Sequence, residues 1–137
     1  MLRQLLIGGL VCLCNISIHA LVMTVVIAAA RRAHAARTDH PAVRLIGVMI
    51  AAVSVLMMAH ACEVAIWAFA YRVVDIAPQG ANLVYFAFVN YTTLGYGDIT
   101  PDRDWLLLGP ITAMNGILMF GWSTAMIFEI LRKAMEK

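Results

Sequence analysis

The sequence predicts an all-α integral membrane protein with three spanning helices and one short helix that enters the membrane without crossing it. Three observations predict this. The 137-residue chain is 63% apolar and 13% charged, with a mean hydropathy of +0.84, where soluble domains carry about 25% charged residues. The segments Leu5–Ala30, Val43–Tyr71 and Trp105–Leu131 are nearly free of charge, and each exceeds the ~20 residues a helix needs to cross a bilayer. A fourth apolar piece, Ala81–Thr93, is too short to cross and runs into a Gly-rich stretch. That suits a half-helix whose backbone polar groups are buried in protein.

The first span, Leu5–Ala30, holds no charged residue. Its apolar run is longer than the roughly 7–15 residues of a signal-peptide core. Arg31, Arg32 and Arg37 follow it directly, so it is expected to stay as a span. Cys12, Cys14 and Cys62 are odd in number and lack metal-type spacing with histidine. They are expected to be inert thiols buried in the membrane.

The second span, 43–71, carries one deep charge, Glu63, three residues after His60. That spacing lets the two side chains touch on a helix. Asn15 and His19 lie in the antiparallel first span, and matching depths places Asn15 near His60. The group Asn15, His19, His60 and Glu63 reads as a polar staple between helices. The other reading is a proton-sensing cluster, because ionisable residues inside a bilayer are functional candidates by default.

Pro78-Gln79-Gly80 reads as a turn, and Asn82 as the N-cap of the half-helix 81–92. Pro101 breaks the chain after residues 93–98. Asp102 or Asp104 is expected to cap the third span, 104–134, which Pro110 is expected to kink. Trp67, Tyr71 and Trp105 are expected in the outer interfacial belt, and Trp122 and the nine methionines in apolar packing.

Charge placement sets the orientation. Arg31, Arg32, Arg37 and Arg44 surround the first loop, and Arg132, Lys133 and Lys137 follow the third span. The positive-inside rule puts both groups in the cytoplasm and the N-terminus outside. Residues 72–104 are then also outside. The net charge of +2 is too small to suggest nucleic acid.

Residues 92–98 read Thr-Thr-Leu-Gly-Tyr-Gly-Asp. Potassium-selective filters are rings of backbone carbonyls from four such loops, which replace the ion's lost hydration shell. Gly95 and Gly97 permit backbone angles that side chains forbid. The carbonyls of Thr93, Leu94, Gly95 and Tyr96 can then face one axis, with the Thr93 hydroxyl as an innermost ring. Leu94 and Tyr96 are expected to point into a wall behind them. The half-helix would aim its negative C-terminal end at a central cavity. Asp98, Asp102 and Asp104 would raise the local cation concentration outside.

The stretch Ala81–Pro101 resembles the pore loop of potassium channels, most closely the prokaryotic two-transmembrane type. Gly116-Ile-Leu-Met-Phe-Gly121 is similar to the inner helix of bacterial proton-gated potassium channels, with a one-residue deletion between the two regions. The resemblance covers about residues 43–132 and leaves the first span as an addition. It implies that Thr93 to Gly97 bind K⁺ and that Asp98 is the acidic residue behind the outer mouth. It also implies that Gly116 is a hinge, with Ile117, Phe120 and Thr124 lining a cavity. Their spacing of three and four puts those last three on one helix face.

Departures from that pattern lie behind the filter. Leu94 stands where valine is usual. Phe86 stands where many relatives have a tryptophan that bonds the filter tyrosine, and phenylalanine has no donor. Val89 stands where some bacterial members have a glutamate that bonds the filter aspartate. Gly116 reads equally as a hinge or a packing site, and Gly121 as packing. Glu129 reads as a partner of Arg132 or Lys133, with a pH-sensitive inner gate as the sharper alternative.

The expected organisation is 1–42, an extra span and cytoplasmic loop, then 43–137, a pore domain. The expected assembly is a C4 homotetramer in the cell membrane, conducting K⁺ passively among lipids, with no catalytic residues and no cofactor. A weakly selective cation channel and a nonconducting channel subunit are the alternatives. No span carries arginines at every third position, so no voltage sensor of the usual kind is expected.

Overall fold

A computed structural model describes residues 1–35 and 40–135. Arg37 and Lys137, used above to orient the chain, lie outside the described residues. Four α-helices follow in order: α1 (Leu2–Ala35), α2 (Pro41–Val74), α3 (Leu83–Tyr91) and α4 (Leu108–Met135). A 3-10 turn, Arg103–Trp105, precedes α4. Among the described residues there is no strand.

Three helical stretches, Leu2–Ala33, Pro41–Val74 and Arg103–Lys133, are long and apolar enough to cross a membrane. Both α1 and α2 contain 34 residues. At 1.5 Å per residue each is about 51 Å long, well beyond a hydrocarbon core of ~30 Å. Each therefore tilts or carries its end into the headgroup layer. This is a multi-pass membrane protein.

The helix boundaries have local causes. Pro41 opens α2 in the first turn, where its missing N–H would have no intrahelical partner anyway. Asp75 ends α2 in the left-handed region with φ 53°. Asn82 caps α3 as expected, its side chain accepting from the Tyr85 N–H at 3.0 Å. The Pro78–Gly80 turn closes through Ala81 N–H to Pro78 O at 3.1 Å.

The third span departs from expectation. Regular α-helix begins at Leu108, not residue 104, so Pro110 lies in the first turn of α4 and interrupts no bond of the helix interior. It is a helix starter here, not a kink. The capping acceptor comes from α1: Gln4 Oε1 receives the Leu107 N–H at 2.8 Å. Beside it the Arg3 guanidinium stacks 4.5 Å from the Trp105 ring centroid. These contacts put the start of α1 at the same end of the bundle as the start of α4.

The opposite end gathers basic residues. A cleft of about 450 Å³ there is lined by groups that include Ile27, Arg31, Arg44, Glu129 and Lys133. The core lies between α2, α3 and α4, with Trp67, Tyr71, Ile76, Phe86, Tyr91 and Leu108 buried. A smaller cluster of Met23, Val26, Ala52, Leu56 and Met126 sits lower in the bundle.

Trp67, Tyr71 and Trp105 are therefore core residues, not an interfacial belt. Polar partners on α4 explain why Trp67 and Tyr71 can be buried. Trp67 Nε1 donates to Asn115 Oδ1 at 2.9 Å. Asn90 Nδ2 donates to the Tyr71 hydroxyl at 3.2 Å. That hydroxyl meets Thr112 Oγ1 at 2.6 Å, and Thr112 donates to Leu108 O at 2.8 Å. The Tyr71 and Thr112 hydroxyls thus both find partners, as buried groups ordinarily do. Cys14 and Cys62 are exposed on the outside of the chain and Cys12 is half-buried, all three as free thiols.

Candidate functional site

The helix α3 delivers the chain to residue 92, and the Gly-rich run begins where the helix stops. Thr93 N–H still bonds Asn90 O at 3.0 Å, and Leu94 N–H bonds Val89 O at 2.9 Å. Beyond Leu94 the backbone leaves helical bonding. Thr93, Gly95 and Gly97 have φ of 61°, 60° and 77°. Left-handed backbone at every second residue is unlike a strand or a helix, and Thr93 adopts it without being glycine. Among the described residues no hydrogen bond ends on a carbonyl of Thr93 through Gly97. Five successive carbonyl oxygens thus stand without a partner in their own chain.

The side chains of this run lack a wall in their own chain. Leu94 is 54% exposed and Tyr96 68% exposed. The two residues expected behind them are buried elsewhere. Phe86 packs against the Tyr71 ring at a centroid distance of 5.3 Å, and Val89 is buried in the same core face of α3. Neither braces Tyr96 within one chain.

Asp98 has a partner that the sequence reading missed. The Tyr85 phenol lies near its carboxylate, whose negative charge pushes the phenol up from its ordinary range. The signal was available: Tyr85 is one turn ahead of Val89 on α3. Farther on, Asp102 N–H bonds Ile76 O at 2.8 Å, which pins the chain after the run to the buried end of α2.

On α4, Ile117, Phe120 and Thr124 lie on one exposed face, as their spacing predicts. Gly116, one turn before Phe120, is buried against Tyr91 at the edge of that face. A Cβ there would collide with Tyr91 O, so the α3 and α4 backbones approach closely. Gly116 is thus a close-packing position between α3 and α4. Gly121 has nothing within 4 Å of an added Cβ, so the packing expected of it is not found within the chain. Glu129 is held at the helix end: Arg132 Nε donates at 2.8 Å, and Lys133 Nζ lies 2.9 Å away.

The intramembrane polar group assembles, with a different pairing. Asn15 does not reach His60. Its Nδ2 donates to Asn115 Oδ1 at 2.9 Å and approaches Glu63 O at 3.4 Å. His19 is the residue beside His60, with ring centroids 5.3 Å apart; one helical turn separates the two candidates. His19 Nδ1 lies 2.7 Å from Glu63 Oε1, and His60 Nδ1 lies 3.2 Å from Glu63 Oε2.

Two further members were not foreseen. The Tyr91 hydroxyl donates to Glu63 Oε2 and lies 3.0 Å from His60 Nδ1. Ser123 Oγ lies 3.0 Å from His60 Nε2 and 3.3 Å from His19 Nε2. His19, His60, Glu63, Tyr91 and Ser123 are all buried, and they join all four helices.

Three helices of membrane-spanning length, a short helix between the second and third, and a Gly-rich loop leaving that short helix define a pore-loop membrane protein. The chain belongs to the ion channel family, of the two-transmembrane pore-loop kind, which matches residues 59–133. The match takes in the second half of α2, all of α3, the Gly-rich run and nearly all of α4; α1 lies outside it. No curated protein and no solved structure matches the chain.

Proposed function

We propose that this chain is one quarter of a potassium-selective channel, with residues 93–97 as its filter. The observation that carries the reading is the left-handed backbone at Thr93, Gly95 and Gly97 together with the unpartnered carbonyls of that run. Carbonyls that nothing in the chain satisfies are the groups needed to replace water around a desolvated K⁺. One chain supplies a quarter of each ring, so the filter requires four copies about one axis. Neighbouring copies would also supply the wall that Leu94 and Tyr96 lack. Ile117, Phe120 and Thr124 would line the cavity, and α3 would enter the membrane from the filter side and return.

The basic cleft of Arg31, Arg44 and Lys133 favours that end as cytoplasmic. The filter and the N-terminus then face outward. The chain acts by conduction and needs no cofactor.

Purified protein in liposomes tests the reading. With unequal K⁺ and Na⁺ on the two sides, the reversal potential should follow the K⁺ gradient. A permeability ratio near one would replace this reading with a weakly selective cation channel, and absence of flux with a nonconducting subunit.

A further inference from the structure

We propose that His19, His60 and Glu63 form a binding site for a zinc-class divalent cation, which clamps α1 to the pore helices. Their ligand atoms, one from each residue, all lie within 4.8 Å of one another, and all three residues are buried. Zinc bonds of ~2.0–2.1 Å in a tetrahedron place neighbouring donors about 3.3 Å apart. The present spacings, 2.7 Å from His19 Nδ1 to Glu63 Oε1 and 3.2 Å from His60 Nδ1 to Glu63 Oε2, both fall short of that figure, so the donors would have to move apart slightly. Small side-chain shifts would admit the ion. The Tyr91 oxygen, in contact with both His60 and Glu63, stands on the fourth side. Two imidazoles, a carboxylate and a hydroxyl are a donor set that suits zinc and its neighbours in the first transition row.

Hydrogen counting around Ser123 agrees with the assignment. Without a metal and with both rings neutral, an ionised Glu63 draws a hydrogen to Nδ1 of both imidazoles. Both neutral rings then present a bare Nε2 to Ser123 Oγ, at 3.0 and 3.3 Å. A serine hydroxyl has a single hydrogen and can serve only one of them. With a cation on the Nδ1 side, each ring carries its hydrogen on Nε2 instead. The two lone pairs of Ser123 Oγ then accept both. This is the outer partner that metal-bound histidines ordinarily have. His60, whose ring lies 4.7 Å from Phe120, is the most accessible ligand and marks the access path, from the α4 face that carries Phe120.

The clamp would join α1 and α2 directly and touch α3 through Tyr91 and α4 through Ser123. It does not depend on whether the protein conducts K⁺, and neither does its test.

The purified full-length protein in detergent is titrated with Co²⁺, which absorbs strongly in the visible region only when tetrahedral. Equilibrium dialysis supplies the stoichiometry. The expected result is one Co²⁺ per chain with a tetrahedral band, displaced by Zn²⁺. His19→Gln and His60→Gln should abolish the band. A variant with Cys12, Cys14 and Cys62 all changed to serine should keep it. Ser123→Ala, which removes only the outer acceptor, should weaken binding about 10–100-fold. It keeps the proposal testable if a histidine variant fails to fold. Absence of the band in the wild-type protein overturns the proposal, as does a band that survives both histidine substitutions or vanishes with the cysteines.

Discussion

The Thr93–Gly97 run and the His19–Glu63–His60 group are both polar constellations in an apolar chain, yet they are finished in opposite ways. The run leaves its carbonyls unpartnered and exposes Leu94 and Tyr96. The histidine–glutamate group is buried and draws a partner from every helix. Buried polar groups are costly unless paired, and each member of the second arrangement has a side-chain neighbour within one chain. The first is exposed, so its carbonyls are open to whatever meets that surface. Pairing within the chain thus separates the buried centre from the exposed run.

The largest expected effect breaks the run alone. Gly97→Ala forces a Cβ onto a residue at φ 77° but meets nothing within 4 Å. K⁺-selective flux should be lost while the helical fold of the chain persists. Flux assays and circular dichroism on the same preparation check both halves. Retained selectivity would remove residues 93–97 from the ion path.

Gly116→Ala tests the other half. Its Cβ would collide with Tyr91 O, and overpacking of a close contact costs about 1–3 kcal/mol or more. Thermal unfolding should fall clearly in this variant. Gly121→Ala, with open space around it, should stay within about 0.5 kcal/mol in the isolated chain. Equal effects at both positions would mean that α4 does not lie against α3 as described.

The smallest effect belongs to Tyr85→Phe, which removes the hydroxyl facing Asp98. The phenol lies at the surface of the chain, where solvent competes for it, so stability should hardly change. The Asp98 carboxylate would lose its neighbour at the end of the run. The phenol's raised pKa keeps it protonated through neutral pH, so this contact should not vary between pH 6 and 8. A pH-dependent difference between wild type and Tyr85→Phe in that range would assign Asp98 another partner.

The sequence revealed what is local. Asn82 as a cap, the Pro78–Gly80 turn, the length of α3 and the common face of Ile117, Phe120 and Thr124 all follow from short-range chemistry and helical period. What depends on how helices lie against each other was harder to read. Asn15 was matched to His60 by depth alone, whereas α1 packs so that His19 arrives there, one turn later. Trp67 and Tyr71 look interfacial by residue type, but Asn115 and Thr112 give their polar tips partners inside the bundle. Tyr91 and Ser123 carried no signal on their own elements. Pro110 starts α4 instead of kinking it because the 3-10 turn at Arg103–Trp105 delays the helix.

The contact at Gly116 has a mechanical meaning. Side chains ordinarily act as springs between helices, taking up small displacements by changing rotamer. Here a backbone presses on a backbone, and Tyr91 O is two residues from Thr93. A shift of α4 toward α3 of even a few tenths of an ångström has no soft element in which to dissipate. Such a shift would bear directly on the backbone two residues before Thr93, with no rotamer change to absorb it.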